Sequence, residues 1–179
     1  TASINLISKN MLKNRIIFLF SFSLLFSHPV VKNLDIDKFM GRWYVFSLIP
    51  NWIESGATNS YDEYTLNKDG TIGITYKAIK NGKERTVKQK GTIVDKKNPA
   101  IWEIQFTKPW VPFFKAPYEV ILLEDNYEYM VVGYPDNSFG WIMTRSTTME
   151  LSLYNNILNT LEKDFGYNKN DFQRVLHNN

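Results

Sequence analysis

The sequence predicts an all-β fold, an eight-stranded antiparallel up-and-down β-barrel (a calyx) with one C-terminal α-helix packed on its outside. Three observations carry this. Short alternating or aromatic-rich runs recur between turn signals from residue 42 onward. No connection between them is long enough for a crossover helix, so neighbours in sequence pair as a meander. The hydrophobic period then changes once, to helical spacing, after the last run.

The runs are 43–49, 59–66, 71–80, 84–94, 101–107, 118–123, 127–134 and 139–145. Asn67-Lys68-Asp69-Gly70, Asn81-Gly82, Asp125-Asn126 and Pro135-Asp136-Asn137-Ser138 are among the links, and Asn-Gly is the strongest short hairpin signal of the set. Beyond them, Thr147-Thr148-Met149-Glu150 fits a capping box. Leu151, Tyr154, Ile157, Leu158, Leu161 and Phe165 then share a helical face, and Gly166 is placed to stop the helix. A single amphipathic helix after eight strands lays that face on the sheet's outer surface, and 172–176 returns to an edge.

A chain of 179 residues, 44% apolar, supports one well-packed domain, which we assign to 30–179. Residues 1–29 form an N-terminal extension and a secretory signal-like segment: Met11-Leu12-Lys13-Asn14-Arg15 precedes the apolar run 16–26, broken only by Ser21 and Ser23. That run is too short for a spanning helix, which needs roughly 20 apolar residues. Its cleavage site is poorly defined, so removal and retention as an anchor both stand. Of the 21 basic residues, Lys9, Lys13 and Arg15 lie in this leader, which leaves 18 against 18 acids and no electrostatic case for nucleic-acid binding.

There is no cysteine, so disulfides, a thiolate nucleophile and a thiolate metal site are excluded. His28 at the leader boundary and His177 near the end are the two histidines, which removes an imidazole base from the expected core. No metal and no cofactor is implied.

The chain is organised around Gly41-Arg42-Trp43-Tyr44, which follows a short polar lead-in. An indole presents a large surface to bury and a ring face that attracts a guanidinium, and Arg145, in Trp141-Ile142-Met143-Thr144-Arg145, is the candidate partner. If the two meet, alternation turns Val45, Ser47 and Ile49 inward with Trp43, and Trp141 and Met143 inward with Arg145. Glu119 facing water turns Tyr118, Val120 and Leu122 inward. The same test turns in Trp102, Ile104 and Phe106, then Ile72, Ile74 and Tyr76, then Tyr64 and Leu66. A barrel of eight strands is either filled by such side chains or holds one small ligand, and both outcomes fit.

These residues resemble the lipocalin family. The stretch from Asn33 to Tyr44, with its Gly41-Arg42-Trp43, resembles the family's first motif; Asp125-Asn126-Tyr127 resembles the second; Thr144-Arg145 resembles the third. The lead-in, Trp141 to Ser146 and Phe165-Gly166-Tyr167 resemble the bacterial outer-membrane, plant temperature-induced and apolipoprotein D branch, over about residues 33–176. The resemblance implies a calyx carrying fatty acids, lysophospholipids or other small lipids and pigments, with stress-time lipid scavenging or membrane maintenance as its role. It places pocket positions on Tyr64, Tyr76, Phe106, Tyr118 and Trp141, to which the alternation adds Trp102, Ser47 and Met143. It implies an extracytoplasmic location, periplasmic or secreted, and a monomer or weak homodimer. The branch's lipid-modified cysteine and disulfides have no counterpart here.

One loop stands out. Between the fifth and sixth runs, Lys108-Pro109-Trp110-Val111-Pro112-Phe113-Phe114-Lys115-Ala116-Pro117 lies at the barrel end opposite Asp125-Asn126, so it rims the mouth. Trp110, Val111, Phe113 and Phe114 are many apolar groups for a solvent loop. Two readings stand: they dip into a membrane interface with Lys108 and Lys115 facing headgroups, or they fold back into the calyx. A rival to the carrier is a cavity enzyme, an isomerase or hydrolase. With neither Cys nor a core His it is left chiefly with tyrosines and Asp62.

Overall fold

A computed structural model describes residues 28–178; the signal-like segment lies almost wholly outside them. The strands are β1 (Gly41–Leu48), β2 (Ala57–Leu66), β3 (Ile72–Lys80), β4 (Lys83–Ile93), β5 (Ile101–Lys108), β6 (Ala116–Leu123), β7 (Tyr129–Gly133) and β8 (Gly140–Thr144). Each overlaps one run. They follow one another around the sheet, and antiparallel β8–β1 and β1–β2 pairings close the barrel. A short strand, β9 (Gln173–Arg174), pairs with Ser47 and Leu48, beyond the part of β1 that pairs with β2, and Asn59 N donates to Leu176 O. The C-terminal segment thus fills the gap where β1 and β2 part.

The lead-in is less polar in effect than its composition. It forms α1 (Ile36–Phe39), capped by Asp35, whose carboxylate accepts from the backbone N–H groups of Asp37 and Lys38. That turn drives Phe39 into the closed end, where it is fully buried with its ring centroid 5.2 Å from that of Trp102 and 5.5 Å from that of Tyr64.

After the barrel comes α2 (Leu151–Phe165). Tyr154, Ile157 and Leu161 are its buried residues, packed with Phe46, Ile121, Val131 and Ile142 from the barrel's outer face. Gly166 ends it in the left-handed region at φ 72°, where a side chain would be strained. The expected capping box does not form. The helix starts three residues late, with Glu150 as an N-cap whose side chain makes no capping bond, and Leu151 is 63% exposed rather than part of the packed stripe.

Strict alternation fails at the β-bulges in β1 and β6. Between Val45 and Ser47 the register of β1 on β8 shifts, which turns both Phe46 and Ser47 outward. Ser47 Oγ there lies 2.9 Å from Tyr154 Oη of α2, Leu48 faces the core, and Ile49 packs with the helix. Between Val120 and Leu122 a second shift sends Leu122 towards the helix and Leu123 to the interior. Leu66, at the end of β2, is 38% exposed.

Glu119 does point out of the barrel, yet it is buried. Chain preceding β1 lies over β6, with Val31 N donating to Val120 O. His28 Nδ1 is 3.1 Å from Glu119 Oε2, and the imidazole stacks on Tyr167. His28 is therefore packed into the folded domain, contrary to the expectation from its place in the sequence, but on the outer layer.

Candidate functional site

The closed end is sealed by a stack. The Arg145 guanidinium carbon sits 3.7 Å from the Trp43 ring centroid. Its Nη1 donates to Arg42 O at 2.8 Å, its Nη2 to Lys38 O at 2.8 Å and to Phe39 O, and its Nε to Tyr127 O at 3.3 Å. Gly41 adopts φ 92°, so the position favours glycine on conformation; a Cβ there would make ordinary contact with Arg145 Nη1 at 3.5 Å. Tyr127 Oη accepts from Asp35 N at 2.8 Å, fastening the turn to α1. Asp125 is exposed in that turn.

Above this floor the barrel is hollow, with a cavity of about 210 Å³. Tyr64, Tyr76, Phe106, Tyr118, Trp141 and Met143 line it together. Trp102 and Ser47 do not. Trp102 belongs to the floor, fully buried, stacked on Tyr118 with centroids 4.7 Å apart, its Nε1 donating to Pro99 O. The bulge in β1 carries Ser47 to the other side of the wall.

The mouth loop divides its apolar groups. Val111 and Phe114 line the cavity, Phe114 against Phe106 at 5.4 Å. Trp110 and Phe113 turn to solvent, 68% and 99% exposed. Lys115 does not stand free beside them, since its Nζ pairs with Glu103 at 2.6 Å.

Sequence reasoning missed the opposite rim. The connection between β1 and β2 folds over the mouth and contributes Asn51, Trp52, Ile53 and Glu54 to the lining. Asn51 organises it: its Oδ1 accepts from Ile53 N and Glu54 N, both at 3.0 Å, while Lys80 Nζ holds the carbonyls of Trp52 and Ile53. Trp52 and Ile53, adjacent apolar residues in a connection, were the available signal. Tyr134 and Phe139 also line the cavity, from the ends of their runs.

Two carboxyl groups enter this apolar space. Glu54 Oε2 accepts from Asn51 Nδ2 at 2.5 Å and from Trp141 Nε1 at 2.8 Å. Burial raises its pKa, and those two hydrogen bonds and the Lys80 charge partly offset the rise. Asp62, on β2, receives among the described residues only a long hydrogen bond from Tyr64 Oη, 3.4 Å. Burial first, and the charge of Glu54 second, push it up to about 8. Tyr64 and Tyr118 share a hydroxyl contact of 2.8 Å, and burial raises both phenols.

A meandering barrel closed at one end by an indole–guanidinium stack and hollow above it defines the class of cup-shaped β-barrel proteins. The family model described as "Lipocalin-like domain" matches residues 34–177. The chain belongs to the lipocalin family. It is 29% identical over 134 residues to temperature-induced lipocalin-1 of Arabidopsis thaliana, covering 72% of each chain. It is also 29% identical over 122 residues to the outer membrane lipoprotein Blc of Citrobacter freundii, covering 67% of each. Among solved structures, insecticyanin of the tobacco hornworm Manduca sexta superposes with a TM-score of 0.63 at 17% identity, covering 83% of this chain and 84% of that one.

Proposed function

We propose that this protein is a non-catalytic carrier that binds a small hydrophobic ligand in the barrel cavity. The observation that carries the reading is the cavity, open at the mouth and walled by aromatic and aliphatic side chains above a sealed floor. Family membership supports it, because lipocalins bind small hydrophobic ligands. Each methylene withdrawn from water contributes roughly 0.8 kcal/mol, so a single acyl chain supplies the affinity, and fatty acids and lysophospholipids are the classes to screen. Extraction of the purified protein with organic solvent, followed by mass spectrometry, is the direct test. A stoichiometric apolar molecule is expected; an empty extract together with no change in tryptophan fluorescence on titration with single-chain lipids removes the reading.

A surface role accompanies it. Trp110 and Phe113 project from the mouth, where a bilayer interface covers aromatic groups at little cost. Liposome co-sedimentation is expected for the unaltered chain and lost in the double variant Trp110→Ser, Phe113→Ser; equal sedimentation of both excludes the contact. Relatives that include an outer membrane lipoprotein support an extracytoplasmic location, and membrane maintenance or lipid scavenging is the role proposed with it.

A further inference from the structure

The cavity's charge is one-sided. Among the described residues its lining contains Glu54 and Asp62 and no lysine, arginine or histidine. Lys80, whose charge acts on Glu54, donates its ammonium group to the carbonyls of Trp52 and Ile53 and does not line the space. Other titratable groups facing the acids are phenols: Tyr64 and Tyr118, bonded to each other, Tyr134, and Tyr76, whose hydroxyl is 3.2 Å from Ser60 Oγ. Among the described residues neither Glu54 Oε1 nor Asp62 Oδ1 has a hydrogen-bond partner. The wall thus offers two open acceptors on acids, set among ring faces that attract cations.

We propose that the cavity selects amphiphiles whose polar end is a protonated amine, received between Glu54 and Asp62, and discriminates against fatty-acid carboxylates. This rests on the carrier reading and narrows its ligand class. A carboxylate head would meet two acids and no compensating cation, so it would enter only by taking up a proton. An ammonium head meets the opposite situation. Asp62, held protonated near neutral pH by burial and by Glu54, gives its proton to solvent when the cation arrives, and the carboxylate left behind pairs with the ammonium. Trp141 lies beside the acids, its indole N–H fixed on Glu54, and reports occupancy.

The test uses three probes of equal chain length, dodecylamine, dodecanol and dodecanoic acid, titrated into the delipidated full chain at about pH 7.5, where the amine and the free acid carry opposite charges. Tryptophan fluorescence and calorimetry in buffers of different ionisation enthalpy are the readouts. Dodecylamine is expected to bind at least about tenfold more tightly than dodecanoic acid, with release of about one proton. In Asp62→Asn and in Glu54→Gln the ratio of amine to dodecanol affinity is expected to fall by roughly fivefold or more, and Asp62→Asn removes the proton release. Dodecanoic acid binding as tightly as the amine, or an unchanged ratio in both variants, overturns the proposal while dodecanol binding leaves the carrier reading intact. Failure of all three probes to bind overturns the carrier reading and this proposal with it.

Discussion

Arg145 does several jobs that no other side chain could combine. A planar guanidinium can lie on an indole face and still aim N–H groups at carbonyls in its own plane, whereas an ammonium is a point charge without that geometry. Here it holds the carbonyls of Lys38, Phe39, Arg42 and Tyr127, tying α1, β1 and the β6–β7 turn to β8. Arg145→Ala is expected to destabilise the fold by about 2–4 kcal/mol, since a desolvated cation–π contact and hydrogen bonds from a charged donor go together. That corresponds to a fall in Tm of roughly 5–10 °C by calorimetry. Arg145→Lys is expected to recover less than half of the loss, and full recovery would show that charge alone matters. This pair was legible in the sequence because an indole that must be buried offers a ring face to a guanidinium, and Arg145 closes the last run. Glu54 was not, since its place in the cavity depends on a connection folding back over the mouth, and periodicity says nothing about connections.

Among the elements, α2 and the bulges in β1 and β6 have to be understood together. The wall that the helix covers is convex, and the bulges in β1 and β6 are where consecutive residues, Phe46 with Ser47 and Ile121 with Leu122, turn to the same side to meet it. A period-two reading assigns such residues to opposite faces, which is why Ser47, Ile49 and Leu122 were placed inside. Strand existence was legible because turn residues punctuate the runs, but a bulge has no composition of its own. Glu119 shows the same limit: its outward direction followed from charge, while its burial depends on His28 and Tyr167 coming from remote parts of the chain. Leu161, fully buried at the centre of the helix contact, is the residue that fixes α2 to the wall. Leu161→Ala is expected to cost about 2–5 kcal/mol in denaturant unfolding through lost transfer and an unfilled cavity. Leu151→Ala, on the solvent side of the same helix, is expected to stay within about 0.5 kcal/mol. Equal losses at the two positions would place the helix face incorrectly.

For the molecule as a whole, a hollow barrel that carries half-buried acids on its cavity wall trades stability for a binding site. Hydrophobic closure at the floor and helix packing on the wall provide the rigidity, so the cavity need not be filled by side chains. The acids oppose that rigidity in a way pH exposes. Asp62 has an ordinary carboxyl pKa of 3.8 when solvated and one raised to about 8 in the fold. Between those values the native state holds a proton that the unfolded chain has released, so stability falls as pH rises from about 4 to about 8 and levels off above. Glu54, also shifted upward, adds to the slope in the same direction. Asp62→Asn removes the ionisable group at the same volume and is expected to flatten this decline, leaving the variant more stable than the parent at pH 8 by at least about 1 kcal/mol. Urea unfolding of both proteins across the acid-to-neutral range measures it. A parent whose stability rises with pH through that window, or a variant with the parent's slope, would mean that the carboxyl is solvated in the folded barrel and that the cavity tolerates its charge without a partner.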